Sequence, residues 1–196
     1  GKIAIGLNEG DQLIAAAHTA GADEIIMASS SGKCIRFSEE DVRPMGRGAA
    51  GVKSMNIDRE SETIVDMSVI EPGCEILTVS ANGYGKRSDP DDYRLQSRAG
   101  KGIKAGVFNE KTGPLVNLKQ VRADQDIMLI GDNGTMIRTK ASYISKISRD
   151  TQGVRIMRVG EGAKIVAVAV AEPQEEDEEL GDGSGSGDGS GSGDGS

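Results

Sequence analysis

The chain has 196 residues, enough for one ordinary domain with a substantial core, but only 3% are aromatic and Trp is absent, so that core must be aliphatic. The net charge of −8 is local: Glu175, Glu176, Asp177, Glu178, Glu179, Asp182, Asp188 and Asp194 fall in residues 174–196, which hold no base, and without them acids and bases balance at 23 each. Cys34 and Cys74 form no CxxC pair, which excludes a disulfide framework or a zinc site and fits a reduced, cytosolic setting; no apolar run nears the ~18 residues of a membrane span, and there is no signal peptide.

Residues 1–22 read as the second half of a truncated blade. A shift of 51 places Lys2 under Lys53 and Leu13-Ile14 under Ile64-Val65. Gly1 then falls inside a repeat, which predicts that the natural N-terminus lies elsewhere. Residues 23–73 form a whole repeat. EIIMASS and SGKCIRF are strands joined at Ser31-Gly32, EEDVRPMGRGAAG is turn-rich, and VKSMNI and TIVDMSVI are two more strands.

Residues 74–124 follow the same plan with EILTVS, YGKRS, IKAGVF and PLVNLKQV. Here the turn is Asn82-Gly83, a dipeptide that predicts a two-residue hairpin with positive φ at both positions. Residues 125–173 repeat it with DIMLIG, TMIRT, VRIMRV and KIVAVAVA. No helical period of useful length occurs. Four short antiparallel strands per module of about 50 residues make a propeller blade. Residues 174–196 cannot bury anything and are expected to be a disordered acidic Gly/Ser-rich tail, native in its acidic part and either native or an added linker beyond it.

The repeat is exact at several positions. Gly32, Gly83 and Gly134 are 51 apart, as are Arg36, Arg87 and Arg138, then Arg47, Arg98 and Arg149, then Gly51, Gly102 and Gly153. Val52, Ile103 and Val154 follow, then Lys53, Lys104 and Arg155. Each module thus carries a basic loop: Arg43, Arg47 and Lys53 in the first, Arg94, Arg98, Lys101 and Lys104 in the second, Lys146, Arg149, Arg155 and Arg158 in the third. Set side by side, these loops are expected to line one curved edge, where a row of cations holds a bent duplex by its phosphates without reading bases. Ordinary solvated surface charge is the bland alternative. Arg36, Arg87 and Arg138 lie one strand past the hairpin and face two options, phosphate or an acid of a neighbouring blade; Arg87 joins the DNA-binding candidates.

NGYGKR at 82–87, SRAGKG at 97–102 and DTQGV at 150–154 resemble the C-terminal domain of the DNA gyrase A subunit. The resemblance covers residues 1–173, and the acidic tail is similar too. It implies an all-β fold, a propeller-like β-pinwheel of six four-stranded blades that exchange strands, of which about three and a half, the last ones, are present. It also implies non-sequence-specific binding and wrapping of double-stranded DNA, in support of ATP-dependent negative supercoiling. The partners it implies are the N-terminal domain of the gyrase A subunit and the gyrase B subunit, in a bacterial cytoplasmic, nucleoid-associated holoenzyme of two A and two B subunits, with no membrane.

No catalytic residue and no cofactor or metal is expected in this segment, since ATP and magnesium bind elsewhere in that holoenzyme. The family's Gln-Arg-Arg-Gly-Gly-Lys/Arg-Gly heptad is absent, and the loops at 43–51, 95–102 and 146–153 stand in its place in degenerate form. Two rivals remain: the C-terminal domain of the topoisomerase IV A subunit, which serves decatenation, and a propeller-type protein-interaction module.

Other motifs read as structure. Gly46, Gly48 and Gly51 match GxGxxG, but a strand-like run follows where dinucleotide binding needs a helix. Gly32-Lys33 fails the phosphate-loop pattern, with Met27 and Cys34 at its ends. Asp89, Asp91 and Asp92 read as a solvated turn, His18 as a surface or edge-strand residue, and Tyr84 and Tyr93 as packing within the blade in preference to contact with the DNA backbone. The acidic tail is expected to lie over the basic rim and compete with DNA, within a Debye length of roughly 8–10 Å.

Overall fold

The computed structural model describes residues 1–173; the tail, and the competition expected of it, lie outside the described residues. In chain order the strands are β1 (Glu24–Ser29), β2 (Lys33–Ser38), β3 (Ile64–Ile70), β4 (Glu75–Ser80), β5 (Tyr84–Ser88), β6 (Ile103–Lys104), β7 (Leu115–Val121), β8 (Asp126–Gly131), β9 (Met136–Lys140), β10 (Val154–Arg155) and β11 (Ile165–Ala171). A 3₁₀ turn follows each hairpin, at Glu39–Asp41, Pro90–Asp92 and Ala141–Tyr143. The fold is all-β.

Each hairpin turn is closed by its glycine. Gly32, Gly83 and Gly134 donate their N–H to the carbonyls of Ser29, Ser80 and Gly131, at 2.9, 3.1 and 3.1 Å. These glycines have φ of +82°, +84° and +81°, whereas Ala99 is the only other residue type with positive φ among the described residues. Asn82 therefore does not take the conformation its dipeptide predicts. A bond three residues back, followed by one left-handed glycine, is a turn with a bulge rather than the two-residue form.

The strands assemble into sheets of order β3-β1-β2-β6, β10-β5-β4-β7 and β11-β8-β9. The first two sheets each take their fourth strand from the following repeat. This corrects the strand reading in two respects. VKSMNI forms no strand, and IKAGVF and VRIMRV pair over only two residues each, at 103–104 and 154–155. Those two residues complete the preceding blade instead of their own, with Ile103 opposite Cys34 and Val154 opposite Gly85.

Glycine permits the crossing: a Cβ on Gly153 would stand 2.8 Å from the carbonyl oxygen of Gly85, and one on Gly102 would overlap that of Cys34. Strand exchange is what the family resemblance implies.

Residues 1–22 contain no strand. Gly6 donates to the carbonyl of Ala49 (3.1 Å), as Asn56 donates to Gly100 (2.8 Å) and Val107 to Thr151 (3.1 Å). That equivalence sets Gly6 under Asn56, so Gly1 lies under Gly51 and Lys2 under Val52, one position off the uniform shift.

The core lies between blades, and it is aliphatic as composition requires. Ile26, Ala28 and Cys34 of the first sheet pack on Ile76, Leu115 and Leu118 of the second, with Tyr93 and Ala105. Leu77, Val79 and Val121 of the second pack on Ile127, Leu129 and Ile165 of the third. Each fully buried Ile or Leu contributes about 1.5–3 kcal/mol, so blade stacking supplies most of the stability.

Candidate nucleic-acid interface

The basic loops are built one on the next by a bonding pattern that repeats every 51 residues. Gln96 N–H donates to the carbonyl of Arg36 (2.8 Å), and Ile147 N–H to that of Arg87 (2.9 Å). Each loop then reaches back with an arginine. Arg98 donates through Nε to the carbonyl of Asp41 (3.2 Å) and through Nη1 to that of Lys53 (2.6 Å). Arg149 does the same to Asp92 (2.9 Å) and Lys104. Charge-assisted bonds to main-chain oxygens hold each loop in register with its neighbour. Arg98 and Arg149 are half-buried in this role.

The other predicted cations sort into outward and inward groups. Arg43, Arg47, Lys53, Arg94, Lys101 and Lys104 are exposed, and among the described residues none of these side chains has a hydrogen-bond or ion-pair partner. Because Arg98 and Arg149 tie loop to loop, these free cations fall on adjoining segments. Arg155 is exposed but fixed: its guanidinium lies 5.2 Å from the centre of the Tyr84 ring, and Nη2 donates to the Tyr84 hydroxyl at 2.9 Å. That bond lowers the pKa of Tyr84. Lys111 lies over the same ring at 5.5 Å.

Two candidates are corrected. Arg87 is buried and does not face solvent. It forms an ion pair with Glu75 of its own hairpin and donates to the carbonyls of Ile144 (2.8 Å) and Ser142 (3.2 Å) in the next repeat. Arg36 repeats this with Glu24, Pro90 and Tyr93. Arg138 pairs with Asp126.

The partner acid therefore comes from the same blade, and only carbonyls come from the neighbour. Lys146 is half-exposed but bound to Glu75 (3.1 Å) and Asp89 (3.6 Å), and the bond to Glu75 raises its pKa. Its charge is largely met before any phosphate arrives.

Tyr84 is buried beneath Lys111 and Arg155, and Tyr93 is fully buried in the core between the first two blades, its hydroxyl 2.7 Å from Ser88 Oγ. Burial raises its pKa. One buried cation escaped the sequence reading: Lys86, beneath the third loop. Its signal was present in the repeat itself, since Ile35 and Ile137 hold the equivalent positions.

Comparison with known proteins follows this geometry. The chain matches the model of a family described as DNA gyrase C-terminal domain, beta-propeller, over residues 1–20, 23–71, 75–122 and 125–172. It is 42% identical over 170 residues to the DNA gyrase A subunit of Staphylococcus epidermidis (strain ATCC 12228), covering 86% of this chain and 19% of that protein. It is 42% identical over 168 residues to the DNA gyrase A subunit of Pseudomonas aeruginosa PAO1, covering 86% of this chain and 18% of the relative. The chain thus spans about a fifth of the length of these relatives.

Among solved structures, a DNA gyrase A C-terminal domain superposes with a TM-score of 0.79 at 27% identity, over 87% of this chain and 58% of that one. The C-terminal domain of DNA topoisomerase IV gives 0.80 at 22% identity, over 86% and 53%.

Proposed function

The chain belongs to the DNA gyrase C-terminal domain family, and from that premise we propose that it binds double-stranded DNA without sequence preference and bends it along the rim formed by its basic loops. The observation that carries this is the pair of arginine ties. Arg98 and Arg149 make the loops contiguous, so Arg43, Arg47 and Lys53, then Arg94, Lys101 and Lys104, then Arg155, succeed one another as phosphate ligands. Bending a duplex over such a rim costs several kcal/mol, offset by phosphate contacts and counterion release.

In the holoenzyme the wrapped segment is handed to the cleavage gate of the gyrase A protein. Strand passage driven by ATP hydrolysis in the B protein then gives negative supercoiling in the bacterial cytoplasm. ATP and magnesium act in those other parts. The fold match does not separate gyrase from topoisomerase IV; the curated relatives, which carry the gyrase name, favour the former.

Two measurements test the reading. Binding of a plain duplex at two salt concentrations should be length-dependent and salt-sensitive; a protein-interaction module would show neither. Ligating nicked circles with the chain bound should shift the topoisomer distribution in one direction. An unshifted distribution removes fixed-handed wrapping and leaves DNA binding standing.

A further inference from the structure

Lys86 lies on β5 with only 1% of its surface exposed. In the sister repeats this register holds Ile35 and Ile137. Ile35 is fully buried under the second basic loop, where a Cβ on Gly100 would stand 3.6 Å from its Cδ1. Lys86 occupies the same slot under the third loop. Its ammonium donates to the carbonyls of Ser148 (3.2 Å), Arg149 and Thr151 (2.8 Å), and to Thr151 Oγ1 (3.3 Å). Three N–H donors thus meet four acceptors, all from one loop.

The charged and titratable groups facing it are Asp150 and Arg149 from that loop, Asp92 from the turn after β5, and Cys34 from β2. Burial outweighs the acids and brings its pKa from 10.5 down to about 8. Burial likewise lifts the Cys34 thiol to about 12, so Cys34 stays neutral where Lys86 titrates.

A buried ammonium costs more than a buried isoleucine of similar reach, and Ile35 shows that packing under a loop needs no charge. We infer that Lys86 is a positioning residue for the DNA track: its ammonium draws the carbonyl oxygens of Ser148, Arg149 and Thr151 inward, so that the loop turns its amide groups, not these oxygens, toward phosphate. This rests on the DNA-binding reading above. The sign of its pH dependence separates the role from simple stabilisation. Between about pH 8 and 10.5 the unfolded chain holds this proton more firmly than the folded one, so fold stability rises with pH across that window. The loop's grip needs the charged form, so DNA affinity falls with pH from about 8.

The test compares the 196-residue chain with Lys86→Ile, the residue of both sister repeats, and with Lys86→Met should the first fail to fold. Hydrogen exchange in residues 146–153 should quicken while the melting temperature holds or rises. Unchanged exchange in the loop overturns the inference. Binding to a plain duplex at pH 7 should weaken about three- to tenfold, on the scale of one charge-assisted site, and the wild-type fall in affinity between pH 7 and 9 should vanish. A flat wild-type pH profile, or a variant that binds as well as wild type, also overturns it. Faster loop exchange in a chain that binds no duplex at all would sink the DNA reading and leave the positioning intact.

Discussion

Arg87 and Lys104 come from one repeat, and each recurs at an interval of 51, as Arg36, Arg87, Arg138 and as Lys53, Lys104, Arg155. The first set turns inward onto carboxylates and the carbonyls of the next repeat. The second set turns out to solvent. Equal period therefore means equal place in a blade, not equal role: one series holds blades together while the other lines the rim. Within the inward series the enclosure is graded. The Arg87 side chain is 9% exposed, Arg36 15% and Arg138 34%. Arg138 is the most open: among the described residues it reaches one following carbonyl, that of Glu172 at 3.5 Å, where Arg87 reaches those of Ser142 and Ile144.

The largest expected effect follows from that gradient. Arg87→Ala leaves two interior carbonyls without a donor and Glu75 with Lys146 alone, and removing one partner of a buried pair costs up to about 3–5 kcal/mol. Arg36→Ala should cost less and Arg138→Ala least, as melting temperatures of the three variants will show. Equal losses would mean that the carbonyl wrap adds nothing to the ion pair. Gly83→Ala comes next. The position has φ +84°, and a Cβ there would overlap the carbonyl of Met157 in the next repeat. Strain of about 1–3 kcal/mol is expected, together with loosened pairing of β10 on β5 in hydrogen exchange. Gly134→Ala, with φ +81° and open space around its Cβ, isolates the backbone share of that cost.

Part of this division was legible in the sequence. The acid twelve residues before each inward arginine recurs on the same period, as Glu24, Glu75 and Asp126, and a hairpin brings such a pair together. That pattern was enough to choose between phosphate and carboxylate for Arg87. The aliphatic core, the hairpins and the basic loops were also legible, since each depends on residue type. What was hidden depends on main-chain atoms. Arg98 and Arg149 look like rim cations until their partners prove to be carbonyl oxygens, which carry no residue signature. Strand donation came from the family resemblance alone, and which residues donate was hidden for the same reason. The Ile103-Lys104 and Val154-Arg155 dipeptides read as strands of their own module, whereas the ladder they join belongs to the module before.

The outward set should behave in the opposite way. Changing Lys101 and Lys104 together to Ala touches no partner, so stability should move by no more than about 0.5 kcal/mol. Duplex affinity should weaken for every sequence alike, and the salt slope should fall by about 0.9 per lost contact. The same pair of measurements on Arg98→Ala should show mixed behaviour, because that residue both adds charge and ties two loops. An unaltered slope for the lysine pair would mean that the duplex lies elsewhere on the disc.

The smallest effect on duplex binding sharpens the comparison most, because it concerns a residue of the outward series that is nonetheless held. Arg155 is fixed over Tyr84 by a ring contact and a hydrogen bond, whereas Lys53 and Lys104 at the equivalent positions are free. Tyr84→Phe keeps the ring and removes the bond. The expected stability change is about 0.5–1.5 kcal/mol, the net worth of one hydrogen bond, and less where the guanidinium stays over the ring. If a fixed guanidinium is a better phosphate ligand than a mobile ammonium, because less side-chain freedom is lost on contact, duplex affinity falls slightly while the salt slope stays constant. The charge is still there, so only its ordering has changed. A drop in slope instead would show that Arg155 has swung away from the rim, and the hydroxyl would then be its anchor rather than its guide.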